Sequence, residues 1–167
     1  MNNLFYLRSF LNFRLSDMAK IIGTNSYLYY AYETNRISCP IDCIMLFSYV
    51  FDIKVYDLIF MEGDRFVKKY LLYDAEYILK NYSSANRKLN NFNIKTIKKE
   101  REKLSKKVSN NISFFRYKKP NSITYISNEL GIKIENYISK EKCNMFTIEE
   151  LIIISNCLNI SIEKIIQ

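Results

Sequence analysis

An internal repeat constrains this chain more than any other feature. The stretch Leu15-Ser-Asp-Met-Ala-Lys-Ile-Ile-Gly23 returns 108 residues later as Ile123-Thr-Tyr-Ile-Ser-Asn-Glu-Leu-Gly131. Apolar residues match at Leu15/Ile123, Met18/Ile126 and Ile22/Leu130, a small residue at Ala19/Ser127, and glycine at Gly23/Gly131. Asn2 to Arg8 meets Asn110 to Arg116 in the same register, and Glu33 meets Glu141. Further on the offset becomes 107, where Asp52 to Ile59 meets Asn159 to Ile166. One register held over so many positions points to duplication of a unit of about 55–60 residues.

Each copy reads as five short helices. In the first, Leu4, Leu7 and Leu11 recur at helical spacing, followed by Met18, Ala19 and Ile22 in a second helix ending at Gly23. Glycine there can adopt the left-handed conformation that closes a helix. Asn25 or Ser26 then caps a third helix running to about Glu33. Tyr29 and Tyr32 face the core of that helix, and Tyr27 and Tyr30 face out. Pro40 opens a fourth helix, Ile41 to Phe51, apolar nearly all round, and Val55 to Phe60 closes the unit. The second copy predicts helices over 112–118, 123–130, 135–141, 148–158 and 162–166, with Ser122 capping the second of them.

Five helices, the pattern apolar-x-x-apolar-small-x-x-apolar-Gly, and Tyr32-Glu33 before a turn resemble the Cro/lambda-repressor (XRE-type) helix-turn-helix family. The resemblance covers some two-thirds of the chain. It implies an all-α fold: helix-turn-helix domains at 1–61 and 108–167, joined by a basic helical connector at 62–107. That family lays its third helix in the major groove of double-stranded DNA. Carried over, the base-facing positions are Asn25, Ser26, Tyr27 and Tyr30 in the first copy and Lys133, Glu135, Asn136 and Lys140 in the second. Asn can read adenine, Lys can meet guanine or phosphate, and hydroxyls reach phosphate. Two departures stand out. The family's polar phosphate clamp at the start of the second helix is Leu15 here, and Ile123 in the second copy. Arg14 stands where a capping residue is usual; it can contact phosphate but cannot cap.

The chain carries a net charge of +8, and the excess is not evenly spread. Residues 1–60 hold five basic and five acidic groups, 61–111 thirteen and six, and 112–167 seven and six. The excess therefore lies in the connector, and it calls for a polyanionic partner. Expected phosphate contacts are Arg14, Arg36, Lys95, Lys98, Lys99, Lys106, Lys107, Lys118 and Lys119. Within the connector, 65–82 reads as one helix and the Ser83-Ser84 and Asn90-Asn91 clusters as a loop. A long helix then spans 93–118, with a narrow stripe of Ile94, Ile97, Leu104, Val108, Ile112 and Phe115. Three readings of that helix stay open: a solvated charged surface, a phosphate-tracking surface, and a homodimer seam.

Other classes recede. The chain has no His, and no phosphate loop or nucleophile triad stands out, so no enzyme and no cofactor are expected. Glu149 and Glu150 are neighbours that diverge on a helix and read as helix-start acids. Cys39, Cys43, Cys143 and Cys157 lack the fellow ligands of a metal site and read as free thiols packed as small apolar residues. With no signal-peptide pattern and no apolar run near 18 residues, a cytoplasmic location and no membrane partner are expected. The functional expectation is a bacterial or phage transcription regulator, a repressor by type. The alternative is a protein-interaction module on the same scaffold, an antirepressor, antitoxin or phage-borne inhibitor docking through the tyrosine-rich third helix.

Overall fold

The computed structural model describes residues 2–72, 74–120, 122–143 and 146–166. It is all-helical, with no strand among the described residues. The chain divides into two compact units, Met1–Cys39 with Cys43–Arg101 and Pro40–Asp42 with Glu102–Gln167. The segment read as a connector is thus shared between them.

The first unit opens with α1 (Asn3–Phe10), capped by Asn2, whose side chain accepts from the Leu4 N–H at 3.2 Å. Leu4 and Leu7 are buried, and Leu11 follows them into the core. α2 (Leu15–Ile21) starts after Arg14, which supplies no side-chain cap; the Asp17 carboxylate accepts the Arg14 N–H at 3.0 Å instead. Gly23 ends α2 at φ +67°. Its N–H reaches Lys20 O, and the Thr24 N–H reaches Ala19 O, the paired bonds of a Schellman closure. α3 (Ser26–Glu33) is capped by Asn25, which accepts from the Leu28 N–H at 2.8 Å. α4 (Ile41–Phe51) is buried nearly all round, as its apolar run requires. α5 (Val55–Phe60) is fastened to α1 by Asn3, whose side-chain amide donates to Asp57 O and Met61 O at 2.9 and 2.8 Å.

Beyond α5 the structure departs from the expected single helix. α6 (Gly63–Phe66) passes into π-helical turns over Val67–Leu72, and α7 (Ala75–Lys88) starts anew. Ser83 and Ser84 lie inside α7, with Ser83 Oγ donating to Leu79 O at 2.9 Å, so only 89–93 forms a loop. There Asn90, Asn91 and Phe92 are all left-handed. The extra helices are part of the first unit's core. Phe66, Leu71 and Ile78 are buried, and the Tyr82 ring stacks on Phe51 and tilts against Phe13. Asp57, itself buried, accepts from Lys69 and Tyr70 of the π-helical turns. Tyr77 is exposed and donates to Asp52.

α8 (Ile94–Tyr117) is one continuous helix, as expected. Of its stripe, Ile97, Val108 and Ile112 are buried, so those positions are already packed and do not form a free dimer seam. Ile94 is 72% exposed and leaves the stripe. Arg101, a charged residue between Ile97 and Leu104 of the stripe, donates to Ile22 O at 3.0 Å, at the end of α2.

The second unit continues with α9 (Ser122–Glu129), α10 (Ile134–Cys143), α11 (Ile148–Leu158) and α12 (Ile162–Ile166). Ser122 is not a cap: it is the first helical residue, and its hydroxyl donates to Arg116 O at 3.0 Å. Gly131 ends α9 at φ +64° with the same pair of bonds as Gly23, from Gly131 to Asn128 O and from Ile132 to Ser127 O. Asn111 repeats the role of Asn3, donating to Ile165 O at 3.0 Å. Thr147 and Glu150 form a reciprocal capping box on α11, which accounts for the acidic pair there. Asp52 and Asn159, both left-handed, close α4 and α11 at the 107-residue offset.

The two glycines differ in what surrounds them. A Cβ on Gly23 would lie 3.2 Å from Ile97 Cγ2, whereas one on Gly131 would meet nothing within 4 Å. Gly131→Ala is therefore expected to cost about 1–2 kcal/mol, the left-handed penalty alone. Gly23→Ala should cost more, because a buried β-branched neighbour must also give way. Urea denaturation of the two variants side by side checks the order.

Candidate nucleic-acid interface

In each unit the short helix after the glycine closure is held by the same buried ion pair. Arg8 on α1 grips Glu33 at the end of α3 through two bonds of 2.8 Å. Arg116 on α8 grips Glu141 on α10 through bonds of 3.0 and 3.1 Å. Both partners recur at the 108-residue offset, and Glu33 and Glu141 are buried. The planar guanidinium matched to a carboxylate fixes orientation as well as distance. Burial alone would push the Glu141 carboxyl up; hydrogen bonds from Arg116 and Ser113 outweigh it and hold the group below its ordinary range. Tyr29 and Tyr137, again 108 apart, are fully buried, and burial followed by the adjacent glutamate pushes both phenols well above their usual range. With one face of each helix locked in this way, the other face is left to solvent.

That outer face differs between the copies. On α3, Tyr27 is 78% and Tyr30 38% exposed, while Tyr29 and Tyr32 are buried, the division expected from the sequence. Asn25 is exposed, but its carbonyl oxygen caps α3, so its side chain is partly committed. Ser26 is half-buried. The Arg36 guanidinium lies over the Tyr30 ring, 5.4 Å from its centroid. α3 itself carries no Lys or Arg. On the α10 side, Lys133, Glu135 and Asn136 are exposed. Lys140 is turned away to the Glu150 carboxylate at the start of α11. Ile134, Ile138, Ser139 and Lys142 also face outward on α10, and none of them was among the expected contacts. The four-residue spacing of the two isoleucines was the available signal.

Of the expected phosphate contacts, Arg14, Arg36, Lys95, Lys98, Lys99, Lys106, Lys107 and Lys118 are exposed. Lys119 is half-buried, with its ammonium 3.5 Å from Cys157 O. Within the first unit, Ile97 against Gly23 and Arg101 on Ile22 O bring α8 to the turn between α2 and α3. Lys98, next to Ile97 on α8, is exposed and adds a basic group to a unit whose α3 has none. Among the thiols, Cys39 and Cys43 are buried, Cys143 is exposed and Cys157 is half-buried, so the small-apolar reading suits the first pair only. No metal-binding group of side chains occurs among the described residues, and no helix there is long and apolar enough to cross a membrane. Comparison with protein-family models, curated proteins and solved structures gives no match to this chain.

Proposed function

We propose that this chain is a DNA-binding transcription regulator, a repressor by type, acting in the cytoplasm. In this reading each unit is a helix-turn-helix domain of the lambda-repressor kind. α3 and α10 enter the major groove of double-stranded DNA, and the lysines of α8 hold phosphates. The observation that carries it is the paired arrangement of a left-handed glycine closure, an outward short helix and a buried Arg–Glu clamp, repeated at one offset. Exposed lysines on α8 supply the sequence-independent attraction such a protein needs. No enzyme activity and no cofactor belong to this reading.

The test is binding-site selection from random duplexes, followed by substitution. Asn136→Ala and Lys133→Ala should change the preferred bases at one or two positions, at a cost of about 1–3 kcal/mol each. Lys140→Ala should matter less, because its ammonium is engaged by Glu150. Unchanged site preference in all three variants contradicts base reading by α10.

A second reading rests on α3 alone. Tyr27 and Tyr30 are exposed and no basic residue accompanies them on the helix, a composition suited to a protein interface. Tyr27→Ala and Tyr30→Ala would then abolish a stable protein complex while leaving duplex binding as it was.

A further inference from the structure

The last turns of α8 carry exposed aromatic residues that the repeat architecture does not require. Phe114 is 56% and Tyr117 81% exposed. They follow Lys107 and Asn110, both exposed, at spacings of three and four residues, so the four side chains share one helix face. That face rises about 15 Å from Lys107 to Tyr117. Lys118 completes it, its ammonium 4.0 Å from the Phe114 ring centroid. All five residues belong to the unit Glu102–Gln167.

The first unit exposes Phe10 at the end of α1, the counterpart of Lys118, but differs at the positions of Phe114 and Tyr117. Tyr6, the counterpart of Phe114 at the 108-residue offset, is closed over by the Gly63 backbone, where an added Cβ would fall 2.4 Å from its ring. The counterpart of Tyr117 is Ser9. The second unit thus leaves open an aromatic that the first covers, adds another where the first has a hydroxyl, and flanks them with lysines.

We propose that this face binds single-stranded nucleic acid, with Phe114 and Tyr117 stacking on bases and Lys107 and Lys118 meeting phosphates. Ring faces and ammonium groups together match a chain that offers base planes and phosphates in alternation. A duplex offers Phe114 and Tyr117 nothing to stack on, because its base planes are already stacked; only its phosphates are open to the lysines. Stacking engages the plane of a base and not its edge, so the two rings accept any base. The proposal does not rest on duplex reading by α3 and α10.

Fluorescence anisotropy with labelled oligo-dT, an abasic strand of equal length and a duplex tests it. The wild type should bind oligo-dT more tightly than the abasic strand, by about 5- to 150-fold per stacked base. The double variant Phe114→Ala with Tyr117→Ala should bind both strands equally, at the affinity the wild type shows for the abasic one. Its duplex affinity and helical circular dichroism should not change, since both side chains are exposed and Arg116, which lies over the Tyr117 ring, keeps its two bonds to Glu141. Equal wild-type affinity for dT and abasic strands overturns the proposal, as does a double variant that still prefers dT. Binding to anionic vesicles or an acidic helical peptide without binding to dT overturns it as well. Loss of duplex binding alone would count against the regulator reading and leave this one standing.

Discussion

Replacing Glu33 by Ala is expected to lower the unfolding free energy by up to about 3–5 kcal/mol, because it leaves the half-buried Arg8 guanidinium without its buried carboxylate. Glu141→Ala should do the same to the second unit through Arg116. Against a typical total of about 5–15 kcal/mol, either loss is large. The apolar double change Arg8→Met with Glu33→Leu should recover most of the deficit, since it removes both charges rather than one. Urea denaturation monitored by circular dichroism reads the difference, and a double variant no better than Glu33→Ala would contradict it. The Glu141 pair also predicts a pH dependence. A folded-state pKa held below the unfolded value gives stability that is present above the unfolded pKa and lost as pH falls through the folded one. Glu141→Gln should flatten part of that acid limb. Asp57, held low by Lys69 and Tyr70 against the opposing effect of its burial, contributes with the same sign and remains in that variant.

Changing Lys98, Lys99, Lys106 and Lys107 together to Gln is expected to weaken binding to every duplex alike. Each phosphate contact contributes about −0.9 to the slope of log affinity against log salt, so the slope should shrink by about 3 to 4. At 0.1 M salt, one decade below the 1 M reference, this amounts to a loss of about 10³-fold. The four side chains are exposed, so the fold should be indifferent to the change. A preserved slope in a mobility-shift series would remove the α8 lysines from the interface. A slope that falls together with a changed site preference would mean that these lysines also read bases.

Local patterns made much of this architecture legible. The observed bounds of α4, α5, α11 and α12 coincide with the apolar runs that predicted them, because closing residues with left-handed conformations, Asp52 and Asn159, stand at the ends of the two longer ones. The inward and outward tyrosines of α3 followed from helical periodicity. What could not be read locally was set by distant partners. The π-helical turns place Lys69 and Tyr70 on the Asp57 carboxylate, twelve and thirteen residues back. Ser83 and Ser84 look like loop residues until Ile78 and Ala85 are buried on the same helix. Arg101 looks like a break in a stripe until Ile22 O accepts from it. In the candidate interface, Lys140 seemed free because Glu150 belongs to the next helix. The Arg8–Glu33 clamp left one trace in the sequence: both of its residues return 108 positions later.

The salt dependence of binding to a selected duplex bears most directly on the proposed function. Equilibrium titrations from 50 to 300 mM salt should give a log–log slope of about −5 with a preference for one site over unrelated sequence. A slope near zero, or equal affinity for every duplex, would contradict a regulator that holds phosphates through α8 and reads bases through its outward helices.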